Sequence, residues 1–376
     1  MIQEPGLYLQ AMRRRKGVSL QDAAAFAGTT SAQLAGIESG RRYATRQQLL
    51  HLAGYFGVDE NRLLIAHQYQ RMQHAAGALF GHMQQELSEM VNGKLRVKVH
   101  RPAPQLDHCV ESMVYYDGHN FGHSLEIIQP DGTTQLIFEL EGAERHLLLG
   151  RDRRVLPKAR VMGIQGQAIT CDVGMRQRTL IIRFRPGGLY AVTGIPQHLL
   201  KDGLLEATHL FGPQVDELRE KIMGCTDPRP MFAKAEAFLL LRLQRREMEA
   251  AVVRHVSANI FTPFPLLVKQ TGYSQKHLID LFKKHVGASP KFFHRLYRYC
   301  AALNDILAIK GKVDWSAIIH GHQYYDQAHF IREFSQFSGH SPTKFLETGS
   351  SCPKCIRTSR PISSASCTGS GSSRTA

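Results

Sequence analysis

Two stretches near the C-terminal end put mostly polar or charged side chains at corresponding positions. In Gly272–Pro290 they are Gln275, Lys276, Asp280 and Lys283, with the apolar Ile279 among them. In Tyr324–Pro342 they are Gln327, Ala328 and Arg332. Their spacing puts each set on one face of a helix. A guanidinium or ammonium meets phosphate, and a carboxylate such as Asp280 can accept from a cytosine amino group. The chemistry suits base edges and backbone of double-stranded DNA.

The elements that must hold these residues can be read around them. Ser274 and Asp326 are helix-opening caps, and Gly287 and Gly339 are helix stops. Both phrases run aromatic, cap, Gln, one further residue, His, apolar, three variable residues, Phe, then Gly and Ser-Pro. The second lies about 50 residues after the first, so one structural device occurs twice. Leu266–Thr271 and Trp315–His320 read as the preceding helices. Helix, tight turn and capped helix form the helix-turn-helix unit. Phe292–Ile309 reads as the long helix joining the two units. Its apolar face, Phe293, Leu296, Tyr297, Leu303, Ile306 and Leu307, reads as core, as does Trp315.

Two such units, each ending in Gly-x-Ser-Pro, resemble the DNA-binding domain of AraC/XylS-type transcriptional regulators over roughly Pro265–Leu346. The resemblance implies that both second helices enter the major groove. The chain departs from the family at Val268 and Ile319, where Ala is usual, and at Gln323, where the turn usually has Gly. Asp280 stands where Arg is usual, whereas Arg332 keeps the pattern.

The N-terminal end carries another helical pattern. From Leu7 to Leu64 apolar positions recur at helical spacing, with breaks at Gly17, Gly28, Gly40 and Gly57. Ser19 can cap a helix running to Ala27, and Thr30 or Ser31 a second, short one. The segment resembles the Cro/phage-repressor-type (XRE) domain. The resemblance rests on Ile37-Glu38-x-Gly40-Arg41 and on a closing helix with Leu49, Leu52, Phe56, Gly57 and Val58. It implies a five-helix bundle in which Gln21, Ser31, Ala32 and Gln33 face the major groove and Arg41 and Arg42 reach the backbone.

Between the two ends the texture changes. Ile65–Lys94 reads as a helical linker, and its His67, His74 and His82 stand two turns apart, too far for a metal site. From Leu95 the period shifts to two. Lys94–Val99, Leu125–Gln129, Thr134–Leu140, His146–Leu149, Val161–Ile164 and Thr179–Arg185 read as strands. Leu218–Ile222 and Phe232–Glu249 read as helices, and Val252–Phe261 as a helix leading into the C-terminal part. The layout resembles the β domain of a subset of AraC-type regulators. The matching residues are Pro102-x-Pro104, the Pro130-Asp131-Gly132 turn before Leu136–Phe138, and Arg183-Phe184-x-Pro186-Gly187-Gly188. A ligand pocket inside the β layer would be lined by Ile127, Leu136, Phe138, Ile181 and Phe184, which serve equally well as plain core. A cupin-like barrel could hold a metal through His119, His123, Glu126 and His146; a polar surface loop is the simpler reading. Cys109 and Cys171 stand alone, without the His and Asp partners of a nucleophile. Neither a phosphate-cradling Gly-rich loop nor a paired-carboxylate phrase occurs, so no catalytic residues and no cofactor are expected.

The 376 residues suffice for two or three domains, and the formal net charge is +15. Pro265–Leu346 holds eleven Lys or Arg against five acids, a basic excess that draws a helical domain to phosphate. No apolar run reaches membrane-spanning length, the first residues lack an apolar signal core, and the seven Cys lack a regular pairing. A soluble bacterial cytoplasmic protein is expected. Residues 349–376 are rich in Ser, Thr and Gly and read as a disordered tail; Cys352 and Cys355 have only Cys367 to complete a zinc site.

The expected fold is α+β and multidomain. A repressor-like five-helix bundle occupies 1–68, a helical linker 69–94, and a β-rich sensor with a cupin-like candidate form 95–226. A helical connector occupies 227–255 and an all-α double helix-turn-helix domain 256–348. The expected function is sequence-specific DNA-binding regulation of transcription, controlled by a small molecule or by dimerisation through the central domain. Candidate partners are double-stranded DNA, a small-molecule effector, RNA polymerase and a second copy of the chain. The competing reading is an assembly protein in which one helix-turn-helix end has lost DNA binding.

Overall fold

A computed structural model describes residues 5–39, 44–58, 63, 95–119, 124–150, 152–243, 247–309, 313–351 and 356–357. The chain divides into two compact units, Met1–His82 with Asn259–Leu267, and Met83–Ala258 with Val268–Ala376.

The N-terminal helices are α1 (Pro5–Arg15), α2 (Leu20–Phe26), α3 (Ser31–Glu38) and α4 (Arg46–Phe56). Ser19, Thr30 and Thr45 cap the last three, and Gly57 ends α4 in the left-handed conformation. Leu9, Ala23, Ala24, Leu34, Ile37, Leu49, Leu52 and Phe56 form their common core. Small alanines on α2 let its axis approach the others closely. The fifth helix of the expected bundle, the 69–94 linker and its histidines lie outside the described residues.

The central domain is two facing antiparallel sheets. Its strands are β1 (Leu95–His100), β2 (Val110–His119), β3 (Leu125–Ile128), β4 (Thr134–Glu141), β5 (His146–Leu149), β6 (Asp152–Val155), β7 (Ala159–Met162), β8 (Ile169–Asp172), β9 (Arg176–Phe184) and β10 (Leu204–Glu206). One sheet runs β1-β2-β9-β4-β7-β10, and the other includes β3-β8-β5-β6. Six of these strands follow the period-two reading, within a few residues at their ends. The reading missed β2, whose polar residues and Gly118 hide its alternation, and the short β6, β8 and β10.

The helices that follow are α5 (Gly188–Thr193), a 3-10 turn at Gln197–Leu200, α6 (Thr208–Phe211), α7 (Gln214–Met223), α8 (Pro228–Leu240) and α9 (Glu247–Ala258). Along β4 and β9 the side chains alternate. Leu136, Phe138, Leu140, Leu180, Ile182 and Phe184 pack against Val215, Leu218 and Ile222 of α7 and Met231, Phe232, Ala235 and Leu239 of α8. Thus α8, expected within a connector, completes the core of the central domain. The single helix expected over Phe232–Glu249 is two helices, α8 and α9.

The other face of the same strands is polar and buried. Glu139 lies among Arg160 (2.5 Å), Arg145 (3.3 Å) and the Thr179 hydroxyl (2.8 Å), and Arg145 also reaches Glu126 of the second sheet at 3.1 Å. Burial alone would raise the Glu139 carboxyl. The two guanidinium groups and the Thr179 hydrogen bond outweigh it and hold the carboxyl down at about 2.

The C-terminal helices are α10 (Phe264–Thr271), α11 (Gln275–Val286), α12 (Pro290–Ala308), α13 (Trp315–Gly321), α14 (Gln327–Ser338) and α15 (Pro342–Ser351). Phe293, Leu296, Leu303 and Ile306 of α12 are buried, as their spacing predicts. The tail departs from the disorder expected of it at two points. The helix α15 reaches Ser351, and Ile356–Arg357 forms β11, which pairs in parallel with β3. Backbone pairing needs no apolar side chains, so composition did not exclude it. Cys352, Cys355 and Cys367 lie outside the described residues.

Candidate nucleic-acid interface

Capping chemistry builds both C-terminal candidate reading helices. The Ser274 hydroxyl accepts from the His277 amide at 3.2 Å, and Asp326 accepts from the His329 amide at 2.6 Å. Gly287 and Gly339 close the helices with φ of +95° and +79°. On α11, Leu278, Leu281 and Phe282 turn inward. Gln275, Lys276, Asp280 and Lys283 are exposed, and Ile279 is half-buried. On α14, Phe330, Phe334 and Phe337 are buried, while Gln327, Ala328 and Arg332 are exposed. Each predicted reading set therefore shares one open helix face.

Sequence reasoning did not find what holds these helices from behind. Glu333 of α14 is buried and takes three charge-assisted hydrogen bonds from α12. Arg298 donates to it at 2.7 and 2.9 Å and Arg295 at 2.8 Å. Burial would raise the Glu333 carboxyl, but the two arginines overcome that and lower it. These two arginines counted toward the basic excess, yet they serve the fold. The second turn holds Gln323 at φ +55°, a left-handed position that explains why Gly is usual there.

The helix α11 also grips the central domain and the helix that follows it. Glu249 of α9 lies 3.0 Å from the buried His285 and 3.2 Å from Lys284, and the ring of Tyr190 on α5 is 4.1 Å from the His285 ring. A side chain at Gly287 would meet the Gln197 carbonyl at 2.9 Å, so this glycine serves both the helix stop and the docking.

Two of the three motifs of the β domain meet at this junction. Arg183 donates to Asp131 at 2.6 Å and lies 3.3 Å from Glu111, which ties the Arg-Phe-x-Pro-Gly-Gly segment to the Pro-Asp-Gly turn. That turn in turn touches α12. The Tyr299 hydroxyl donates to the Gln129 side chain at 2.7 Å, the Cys300 thiol donates to the Pro130 carbonyl at 3.3 Å, and a Cβ at Gly132 would stand 2.7 Å from the Tyr297 ring. The amide of Ala168 reaches the Phe337 carbonyl at 2.7 Å, so the end of α14 is held as well. Gly188 lies so close to the Cys109 carbonyl that no Cβ would fit.

In the N-terminal unit, Gln21 and Ala32 are exposed and Ser31 is half-buried. Gln33 is half-buried, and its side-chain oxygen accepts from Thr29 and from the Thr30 amide as part of the cap of α3. It is held by the fold before any partner arrives. Glu38 of the signature is buried in a fork with Arg13, at 2.7 and 2.8 Å, that pins α1 to α3. Arg41 and Arg42 lie outside the described residues.

The five residues proposed for a ligand pocket do not converge. Leu136, Phe138 and Phe184 are in the packed core under α7 and α8; Ile181 sits on the opposite sheet face, and Ile127 belongs to the other sheet. A single alternating strand cannot send neighbouring positions to one side. Two of the residues considered for a metal are engaged otherwise. Glu126 pairs with Arg145, and His146 Nδ1 lies 2.7 Å from Asp172. His123 lies outside the described residues, and no metal-holding cluster occurs among those described. Burial pushes the Cys109 thiol up to about 11 and raises Cys171 also, the opposite of what a nucleophile needs. No helix among the described residues is long and apolar enough to cross a membrane.

Comparison with known proteins gives three domain matches. Residues 267–348 and residues 6–64 each match a helix-turn-helix domain, and residues 98–206 match a domain of unknown function (DUF6597). No curated protein matches the chain. Among solved structures, ToxT from Vibrio cholerae aligns at 8% identity over 68% of this chain and 98% of that one, with a TM-score of 0.34. A Vibrio cholerae HTH_3 family transcriptional regulator aligns at 17% identity over 49% and 96%, with a TM-score of 0.22. Apo-HppE aligns at 14% identity over 48% and 98%, with a TM-score of 0.25. The domain matches, with the geometry above, carry the assignment. The chain is a DNA-binding transcription regulator that joins an XRE-like helix-turn-helix domain at its N-terminal end to an AraC-type helix-turn-helix domain at its C-terminal end, around a central DUF6597 domain.

Proposed function

We propose that this regulator recognises a specific DNA sequence through α11 and α14, and that the central domain controls their use. One observation carries the reading. Gln275, Lys276, Asp280 and Lys283 on one helix, and Gln327, Ala328 and Arg332 on the other, stand open while the opposite faces are packed. Base contacts by the amides and by Asp280 supply specificity, and the cations supply position. At the N-terminal end Gln21, Ser31 and Ala32 offer a second, smaller reading surface. Two readers on one chain raise effective concentration to the order of millimolar when the linker spans both sites.

Control through the central domain is supported by its direct bonds to α11, α12 and α14. A small molecule, or a second copy of the chain, acts by preferring one arrangement of those contacts over another. The test is a binding-site selection with the full chain, followed by titration of Arg332→Ala and Asp280→Ala. Arg332→Ala should lower the salt slope by about one. Asp280→Ala should relax preference at one C·G pair. Unchanged affinity and unchanged preference in both variants would leave the assembly reading.

A further inference from the structure

The two reading units differ at one position just outside their helices. Tyr273 and Tyr325 each precede the cap residue, Ser274 or Asp326. In the first unit Tyr273 lies flat on His277, with centroids 4.7 Å apart and planes at 11°. In the second unit the matching histidine turns under the helix. His329 Nε2 is 3.4 Å from Arg298 and 3.8 Å from Glu333, and its ring meets Tyr324 edge-on at 5.5 Å. The buried carboxylate thus draws His329 away from the tyrosine. What remains is a Tyr325 that is 91% exposed, more than any other large hydrophobic residue described. Its backbone is nevertheless held, because the amide of Tyr325 donates to His329 Nδ1 at 3.4 Å.

A tyrosine with a fixed backbone and an open ring suits a partner that covers it. Gln327 and Ala328, both exposed, stand two and three residues on, at the start of α14. Tyr325 lies before the cap and so outside the helix itself, on the flank of any groove that α14 enters. We infer that Tyr325 is a positioning residue on the sugar–phosphate backbone beside the site read by α14. Its ring packs on a deoxyribose and its hydroxyl donates to a phosphate oxygen, a contact that carries no sequence information. The inference rests on α14 being a DNA-reading helix. It adds a neutral anchor where the first unit, with Tyr273 folded onto His277, has none.

The experiment uses the full chain and a duplex that the full chain selects from a randomised pool. Tyr325→Ala should weaken binding about tenfold and Tyr325→Phe about threefold. The loss should be equal on the selected duplex and on singly substituted versions of it. The salt slope should stay at the wild-type value, because no charge is removed, whereas Arg332→Ala lowers it. Hydroxyl-radical protection should disappear at the sugars flanking the α14 half-site in Tyr325→Ala. The proposal is overturned if Tyr325→Ala binds as wild type while Arg332→Ala is weakened, or if its loss is confined to one base pair. If Arg332→Ala and Gln327→Ala also bind as wild type, the reading of α14 itself fails, and this inference with it.

Discussion

The hydroxyl of Tyr299 on the long C-terminal helix donates to the side-chain oxygen of Gln129 in the central domain, 2.7 Å away and fully buried. The two residues are 170 positions apart, and their bond joins the helix between the two C-terminal helix-turn-helix units to the turn at Pro130–Gly132. Gln129 makes its buried contact with one atom only, since its amide nitrogen has no partner. Tyr299→Phe leaves the whole Gln129 amide without hydrogen bonds, at a cost of about 1–3 kcal/mol. Denaturant melts of the full chain should show that loss as a lower midpoint. Restoration of stability in the Tyr299→Phe, Gln129→Leu double variant would identify the unpaired amide as its cause.

Gly132 tests the same junction by shape. It adopts φ +78°, and a Cβ there would stand 2.7 Å from the Tyr297 ring. Gly132→Ala should cost about 1–3 kcal/mol through backbone strain and the crowded ring. A thermal midpoint at the wild-type value would show that the turn yields freely.

Glu139 sets an acid limit on the central domain. Its carboxyl is held at about 2, below an ordinary value of 4.5. A depressed folded value means that the stabilisation is complete above pH 4.5 and is lost as pH falls toward 2. It is worth on the order of 3 kcal/mol. Glu139→Gln removes this titration, so the difference in stability between wild type and variant should shrink from pH 6 to pH 3. A difference independent of pH would argue against the buried network as its source.

The second turn predicts a gain. Gln323 pays a left-handed backbone cost of roughly 1 kcal/mol at φ +55°, which Gly avoids. Gln323→Gly should raise the thermal midpoint of the C-terminal region by a few degrees. A lowered midpoint would mean that the glutamine side chain contributes more than the strain costs.

Local chemistry made much of this protein legible. Ser274, Asp326, Gly287 and Gly339 mark helix ends through caps and left-handed stops, which depend only on near neighbours. The inward positions of Leu278, Phe282, Phe330 and Phe334 follow from helical period, and the outward set from Gln275 to Arg332 is its complement. What lay beyond reach were pairings between distant segments. Arg295 and Arg298 looked like cations for phosphate until the fold placed Glu333 between them. Leu136 and Ile181, both apolar strand residues, looked like neighbours in one pocket, yet the pleat and register send them to opposite sheet faces. Gln129 and Tyr299 carry no mark of each other. A hydrogen bond across 170 residues is decided by how the two sheets stack and where α12 lands on them, and no local pattern encodes that.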